Sequence, residues 1–233
     1  MSITIIFYES ALELIPEKLR KHRLIRHEWQ KNVKKKKRGI LLDGAIHRTL
    51  VNSLEDYEKR GRPDIIHHAL VNICFTSLFK NNKVKVIIHT RNDLCIKIPS
   101  EWRVPVNYNR FCGLFSQLLL NRKVPLNGNP PILRVQHCSL NQVLQQLDSD
   151  IFLCELPSKT QKRYLNITSL PEIPYNSSMV FLIGGFQHGD VNILSLLSDD
   201  LKKRITYLTI YEEVVPAWVV VTKLINWLEE RDH

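Results

Sequence analysis

Short apolar runs alternate with segments of helical periodicity along nearly the whole chain, and this alternation constrains the fold more than any other feature. The runs predicted as strands are Ile3–Tyr8, Ile40–Asp43, Val84–His89, Leu94–Ile98, Ile132–Gln136, Ile151–Cys154, Met179–Ile183 and Thr206–Tyr211. The segments predicted as helices are Ala11–Ile25, Ala45–Lys59, Asp64–Phe79, Tyr108–Leu120, Leu140–Leu147, Asn192–Lys203 and Pro216–Arg231. Strands that alternate with helices predict an α/β fold, in which helices cover both faces of a mostly parallel sheet.

Two of these predictions carry local detail. Asp64 follows Pro63 where an N-cap belongs, so the helix is predicted to begin there. Arg91-Asn92-Asp93 supplies turn residues between two runs of alternating polarity, which predicts a β-hairpin.

The chain carries a large positive charge, with a formal net charge of +10 and a pI of about 9.4. A surplus of this size favours a polyanionic partner, with nucleic acid as the first candidate and an anionic membrane as the second. The membrane is the weaker candidate, because no apolar run approaches the roughly 20 residues needed to span a bilayer. The basic run Lys34–Arg38 is an RNA contact, a nuclear address or a solvated loop.

The five cysteines are widely spaced and form no Cys-x-x-Cys pair. The histidines do not fall into a metal-ligand spacing either, so we expect neither a metal site nor a disulfide framework. The first residues lack a basic leader followed by a long apolar block, which indicates no secretory signal. Together these features favour reduced cysteines in a cytosolic compartment.

A glycine-rich loop, Gly184–Gly189, follows a predicted buried strand. Because glycine has no Cβ, such a loop lets the backbone approach a ligand closely. The spacing is not that of the dinucleotide-binding fingerprint. Taken alone, the loop is more simply explained as a tight turn.

Arginines gather at two predicted helix starts. In Arg60–Asp64 the arginines can hold phosphate beside the positive end of the helix dipole, and Asp64 can orient Arg62 through a bidentate pair. The alternative is that Asp64 only caps the helix and the arginines are solvated. Arg103 and Arg110 flank the second start next to an aromatic residue, an arrangement that suits phosphate and base contacts or an ordinary exposed helix end.

Four segments together resemble the Nep/Emg family of ribosomal RNA small-subunit pseudouridine N(1)-methyltransferases, a branch of the SPOUT superfamily. They are RGRPDIIHHALV (Arg60–Val71), RVPVNYNRFCGLFSQLL (Arg103–Leu119), FLIGGFQHGDV (Phe181–Val191) and YLTIYEEVVPAWVVVTKLI (Tyr207–Ile225). Their order and spacing match the family, and the resemblance extends from about Ile3 to the C-terminus. The compact length is similar to that of the archaeal-type members.

The resemblance implies a SPOUT-type α/β knot, in which the C-terminal backbone forms a trefoil knot. It implies that residues 1–233 form a single knotted methyltransferase domain, with an inserted β-hairpin and helix around residues 80–110 that binds RNA. The implied activity is transfer of a methyl group from S-adenosyl-L-methionine to ring nitrogen N(1) of a pseudouridine in small-subunit ribosomal RNA, together with a role in small-subunit biogenesis. The implied partners are that RNA, a second copy of the chain in a homodimer, and a ribosomal protein during assembly, in the cytoplasm or in the nucleolus of a eukaryotic source.

Site residues follow from the same resemblance. The positions that match the cofactor-binding residues are Leu156, Gly184, Gly189, Leu208, Thr209, Ile210, Tyr211, Val214 and Val215. The positions that match RNA-binding residues are Arg62, Asp64, Arg103 and Arg110.

The chain departs from the family pattern at two places. Val106 stands where the family often has a further arginine, so a phosphate contact is either missing or supplied elsewhere, with Lys97, Arg122 and Lys123 as candidates. Val214-Val215 replaces a Pro-Leu pair in the last cofactor loop but keeps its apolar character.

Arg62 and Asp64 are the candidate catalytic residues. The target nitrogen carries a proton at neutral pH, so Asp64 is expected to orient or accept it and Arg62 to stabilise negative charge on the base. Tyr108 or Phe111 is expected to hold the unstacked base, and no metal is required.

Three further points stay open from the sequence. Trp218, Val221 and Ile225 on the last helix are either dimer-interface residues or ordinary core. One rival reading of the chain is a non-catalytic RNA-binding assembly factor with the same fold. The other rival is a basic protein-interaction module of the ribosome.

Overall fold

The computed structural model describes residues 2–31, 39–127, 130–155, 164–170, 178–187 and 192–232. The basic run Lys34–Arg38, Leu156 and Gly189 lie outside the described residues. The predictions made for them therefore stay predictions.

Within the described ranges, nine strands form one sheet whose larger part is parallel. The strands are β1 (Ser2–Ser10), β2 (Val84–Thr90), β3 (Leu94–Ile98), β4 (Lys123–Val124), β5 (Leu133–His137), β6 (Asp150–Cys154), β7 (Leu165–Asn166), β8 (Ser178–Gly184) and β9 (Ile205–Thr209). Their order across the sheet is β4-β5-β3-β2-β1-β8-β6-β9-β7. β1 lies at the centre and is parallel to both β2 and β8, whereas β3, β5 and β4 extend the sheet with antiparallel pairings. The predicted hairpin is thus confirmed as β2–β3, and it adds to the main sheet.

Helices cover both faces of this sheet, as predicted. The α-helices are α1 (Arg23–Lys31), α2 (Gly44–Val51), α3 (Pro63–Cys74), α4 (Ser77–Lys80), α5 (Tyr108–Asn121), α6 (Leu140–Gln145), α7 (Asp199–Lys203) and α8 (Ala217–Glu229). In the part of the chain that the structure describes, no helix is long and apolar enough to cross a membrane.

The core has two layers because successive strand residues point to opposite faces. Ile5 and Phe7 of β1 pack in the larger layer with α3, α5 and α8, whereas Ile6 and Tyr8 pack in the layer beneath α6 and α7. Phe115 of α5 is fully buried in the larger layer. Burial of one such side chain stabilises the fold by about 1.5–3 kcal/mol.

The predicted N-cap at Asp64 is wrong. Arg62 occupies the N-cap position without a side-chain cap, and Pro63 is the first helical residue. Asp64 instead lies in the first turn and accepts hydrogen bonds from the Arg62 side chain. The helix also ends early, because Thr76 caps a separate short helix by accepting from the Phe79 amide at 3.3 Å.

Four other elements differ from their predictions. The predicted helix Ala45–Lys59 ends at Val51, and a separate 3-10 turn covers Tyr57–Lys59. Residues 11–16 are not helical, and the amide of Ala11 donates to the carbonyl of Gly185. The predicted strand Ile40–Asp43 forms only an isolated bridge between Leu14 and Leu41. Residues 192–203 are divided into a 3-10 turn and α7, with Ser198 at the N-cap.

The knot and the single-domain organisation remain predictions of the resemblance. The connections between β6, β8 and β9 include 156–163, 171–177 and 188–191, which lie outside the described residues. On α8, Val221 and Ile225 are buried in the core of their own chain, whereas Trp218 is half-buried. Core packing therefore accounts for the first two positions.

Candidate functional site

A cleft opens where three neighbouring parallel strands end. β8, β6 and β9 lie side by side, and their carboxyl ends lead into the walls of the cleft. Five of the predicted cofactor residues line it, namely Gly184, Ile210, Tyr211, Val214 and Val215. In open α/β sheets, ligands bind outside the carboxyl ends of the strands. Position and composition together make this cleft the candidate ligand site.

Two further predicted cofactor residues, Leu208 and Thr209, do not line the cleft. Leu208 and Thr209 are buried in β9, directly before Ile210. The Thr209 hydroxyl has no hydrogen-bond partner among the described residues. Leu156 and Gly189 lie outside the described ranges. The structure therefore brings together the end of β8 and the loop after β9, with β9 itself as support.

The cleft also contains residues that sequence reasoning missed, among them Cys154, Glu155 and Phe186. The hydroxyl of Tyr8 donates to Oε1 of Glu155 at 3.4 Å. Burial raises the pKa of Tyr8 well above its usual value, and the nearby Glu155 charge raises it further. Tyr8 therefore stays protonated and holds the Glu155 carboxylate at the cleft wall. The position of Glu155 next to Leu156 in the sequence was the available signal.

Gly184 leaves room for an aromatic wall of the cleft. A Cβ at this position would lie 3.0 Å from the ring of Phe186, which lines the cleft. Phe186 in turn packs edge-on against Tyr8, with 5.8 Å between ring centroids. A larger residue at Gly184 would displace this ring.

Lys223 of α8 fixes the loop after β9. Its ammonium donates to the carbonyl oxygen of Ile210 at 2.9 Å and lies 4.4 Å from the centre of the Tyr211 ring. Hydrogen bonding and cation–π attraction together hold two cleft residues in place. Val214, by contrast, is 78% exposed at the outer rim.

A second group of candidate residues surrounds the start of α3. Nε and Nη2 of Arg62 donate to the two carboxylate oxygens of Asp64 at 2.8 and 2.7 Å. The hydrogen bond to Asp64 is the main cause that raises the pKa of Arg62 above its usual value. The predicted pairing of these residues is confirmed, and it fixes the direction of the guanidinium.

A partly buried hydroxyl–carboxylate pair lies beside Arg62. The hydroxyl of Tyr108 donates to Oδ2 of Asp43 at 2.6 Å, and Oδ1 of Asp43 accepts from the Ala45 amide at 2.9 Å at the start of α2. Burial, and then the hydrogen bond to Asp43, raise the pKa of Tyr108. Sequence reasoning proposed Tyr108 for this site but missed Asp43.

His67 docks the arginine-bearing loop onto α3. Its Nε2 donates to the carbonyl oxygen of Pro105 at 2.8 Å, and its ring packs 4.7 Å from that of Phe111. Arg103 and Arg110 lie on either side of this docked loop and are both exposed. The structure thus places both arginines on the surface next to α3, where an anionic partner has access to them.

The segment before Arg62 is held by a buried ion pair. Nε and Nη2 of Arg60 donate to the carboxylate of Glu13 at 2.8 and 2.6 Å. Gly61 follows with a φ of +65°, and its carbonyl accepts from the Gly44 amide at 2.7 Å. The backbone that presents Arg62 is therefore fixed from both sides.

Helices α3 and α8 connect the two groups of residues. The Asn72 side chain donates to the hydroxyl of Thr222 at 2.9 Å, and the rings of His68 and Trp218 are 5.1 Å apart. α8 begins at Ala217, which lines the cleft. A shift of either helix would therefore affect both the cleft and the Arg62 surface.

The fold and the site define a ligand-binding α/β protein. Its ligand cleft lies at the ends of parallel strands, and an arginine-rich surface for an anionic partner lies next to it. The model of the EMG1/NEP1 methyltransferase family matches residues 5–229, and the chain belongs to this family.

Individual relatives agree with this assignment. The ribosomal RNA small subunit methyltransferase Nep1 of Thermococcus sibiricus is 36% identical over 230 residues, with 96% of each chain covered. Nep1 of Staphylothermus marinus is 32% identical, with 96% of this chain and 93% of that protein covered. The crystal structure of Archaeoglobus fulgidus Nep1 bound to S-adenosylhomocysteine matches with a TM-score of 0.80 and 28% identity, and it covers both chains completely. These archaeal relatives confirm the predicted family and its archaeal-type character.

Proposed function

We propose that this protein is an S-adenosylmethionine-dependent methyltransferase that methylates ring nitrogen N(1) of a pseudouridine in small-subunit ribosomal RNA and takes part in small-subunit biogenesis. The observation that carries the proposal is the cleft at the ends of β8, β6 and β9, in a chain whose whole fold matches a Nep1 with S-adenosylhomocysteine bound. The non-catalytic alternative gives no reason for such a cleft.

The cleft residues fit the proposed cofactor. Ile210, Val214, Val215 and the ring of Phe186 offer apolar surface suited to an adenine ring, and Glu155 offers carboxylate oxygens that can accept hydrogen bonds from a ribose. When bound, S-adenosylmethionine supplies an electrophilic methyl group on its sulfonium. The contribution of the protein is then to hold donor and acceptor in line, which is the main source of acceleration in such a displacement.

Arg62 is proposed to act on the acceptor base. Its guanidinium, oriented by Asp64, is a fixed positive charge that stabilises negative charge developing on the pseudouridine ring as the N(1) proton leaves. Both oxygens of Asp64 already accept hydrogen bonds from Arg62. We therefore assign Asp64 the orienting role. Each of its carboxylate oxygens keeps a lone pair outside the bonds to Arg62, so the N(1) proton passes either to Asp64 or to a solvent water.

Calorimetric titration with S-adenosylhomocysteine tests the cofactor site. We expect saturable binding near one molecule per subunit, and its loss in Gly184→Val, because the added side chain would displace Phe186. Gly113→Val is the matched control, because a Cβ at Gly113 would meet nothing within 4 Å. Equal affinities of both variants would reject this cleft as the cofactor site.

Methyl transfer from labelled S-adenosylmethionine tests the substrate. The two RNAs compared are a small-subunit transcript that contains uridine and the same transcript made with pseudouridine. We expect label only in the second, as N(1)-methylpseudouridine in the nucleoside digest. Label in both transcripts would refute the assigned base specificity.

We also propose a homodimer, contact with a ribosomal protein during assembly, and a cytoplasmic location that becomes nucleolar in a eukaryotic source. Half-buried Trp218 and exposed Val214 are apolar residues available near the cleft. All five cysteines are free, in accord with a reducing compartment. Light scattering at several protein concentrations tests the dimer, and a monomer mass throughout would refute it.

A further inference from the structure

A row of cations crosses the sheet at its antiparallel end. Lys123 of β4 is paired with Arg134 of β5, and Lys97 of β3 is paired with Ile87 of β2. Ile96 is paired with Val135, so one step along the same register sets Lys97 opposite Arg134. Directly opposed residues share a face, and their Cβ atoms are about 4.5–5.5 Å apart. Lys123, Arg134 and Lys97 therefore form a continuous row, which we call the basic row.

The basic row lies on the face of the sheet opposite to α5. Ile96 and Val135 point into the core beneath α5, so their neighbours Lys97 and Arg134 point the other way. All three cations of the row are exposed. This surface is consequently distinct from the one formed by Arg62 and Arg110.

A groove of about 560 Å³ lies along this face. Lys97 and Arg134 line it together with a further exposed lysine, Lys85, and no acidic side chain lines it among the described residues. Like charges set opposite each other across strands destabilise a sheet. A lysine is often neutralised by an acidic side chain of the same protein. Lys83, which precedes β2, is an example, because its ammonium is 2.7 Å from the carboxylate of Asp232. The basic row lacks such a carboxylate in its groove, so its positive charge is available to an anionic partner.

We infer that the basic row binds the phosphate backbone of an RNA strand, as a second RNA surface in addition to the one beside Arg62. This inference rests on the proposed function, which makes RNA the polyanion that the protein meets. α5 carries Arg110 at its start and ends at Asn121, directly before exposed Arg122 and the edge strand β4. An RNA strand that passes around this edge meets Arg122 and Lys123 before it reaches the groove.

The salt dependence of RNA binding tests the inference. The variant Lys97→Gln/Lys123→Gln/Arg134→Gln removes the row, and Lys18→Gln/Lys21→Gln/Arg23→Gln removes equal charge from other exposed positions. The probe is a fluorescently labelled single-stranded RNA, titrated at several salt concentrations. Each phosphate contact contributes about 0.7 to the slope of log K against log salt for single strands, so loss of three contacts lowers the slope by about 2. The control variant is expected to keep the wild-type slope.

Two results would overturn the inference. One is an equal change of slope in both variants, which would reflect net charge alone. The other is a triple variant that keeps the wild-type RNA slope but no longer binds polyglutamate, an acidic polypeptide. That result would make the groove a protein-docking surface. Far-ultraviolet circular dichroism checks folding, and Lys97→Gln alone, with an expected slope change of about 0.7, replaces the triple variant if that variant unfolds. Titration of the same proteins with S-adenosylhomocysteine separates the two proposals. Cofactor binding is measured independently of the RNA slopes, so either proposal can be rejected without the other.

Discussion

Changing Arg60 to Met leaves the Glu13 carboxylate buried without its partner. The Glu13 side chain is 3% exposed and that of Arg60 is 12% exposed, so little water can replace the lost contacts. The pair joins the segment after β1 to the loop that presents Arg62. Its loss is therefore expected to reduce global stability.

The magnitude follows from the two hydrogen bonds. Each charge-assisted bond contributes about 1.5–3 kcal/mol, and removal of one partner from a buried ion pair costs about 3–5 kcal/mol. Because Arg60 keeps some access to solvent, we expect a loss near the lower end, about 3 kcal/mol. At about 2–4 °C per kcal/mol for a chain of this length, the melting temperature should fall by about 6–12 °C.

Urea unfolding followed by tryptophan fluorescence measures the effect. Arg20→Met is the matched control, because its partner Glu17 is 85% exposed and the Arg20 side chain is 42% exposed. Surface pairs of this kind contribute about 0–1 kcal/mol. The double variant Glu13→Leu/Arg60→Met removes both charges, and we expect it to recover much of the stability lost in Arg60→Met.

A loss in Arg60→Met no larger than that in Arg20→Met would refute the reasoning. So would a double variant less stable than Arg60→Met, because the predicted cost arises from the unpaired charge. Identical unfolding slopes in all variants are required for the comparison.

Other predictions concern single positions. Tyr108→Phe removes the donor to buried Asp43, so we expect a stability loss of about 1–3 kcal/mol in urea unfolding, and a loss below 0.5 kcal/mol would contradict a direct hydrogen bond. Gly61→Ala places a Cβ 2.8 Å from Val51 at a positive φ, so we expect a loss of more than about 1 kcal/mol in thermal unfolding, and unchanged stability would reject the strained turn. Burial raises the pKa of the Cys74 thiol to about 12, so at pH 8 we expect iodoacetamide to label it slowly in the native state and rapidly in urea, and equal rates would contradict its burial.

Sequence patterns correctly predicted the elements that are held by contacts between residues close in the sequence. The hairpin β2–β3 and helix α5 follow from alternation and helical spacing, and their predicted bounds agree closely with the structure. Residues 11–16 were predicted as helix because their apolar spacing is helical. Their amides and carbonyls instead pair with distant segments such as Gly185 and Ile40, and no local pattern records such pairings.

The same distinction applies to the candidate site: contacts between neighbours in the sequence were predictable, and contacts between distant residues were not. The pairing of Arg62 with Asp64 was predictable, because only Pro63 separates them in the sequence. Asp43 and Glu155 were missed, because their tyrosine partners are 65 and 147 residues away in the sequence. The opposition of Lys97 and Arg134 likewise depends on strand register, which the sequence of each strand alone does not specify.

The central position of β1 has a consequence for synthesis of the chain. This strand is synthesised before both of its neighbours, because it pairs with Val84–Thr90 on one side and Ser178–Gly184 on the other. Pairings between such distant segments form slowly, and unpaired apolar edges are prone to aggregation. During translation one edge of β1 therefore stays unpaired until β8 has been made, and we expect folding to depend on chaperones that shield nascent β-strands.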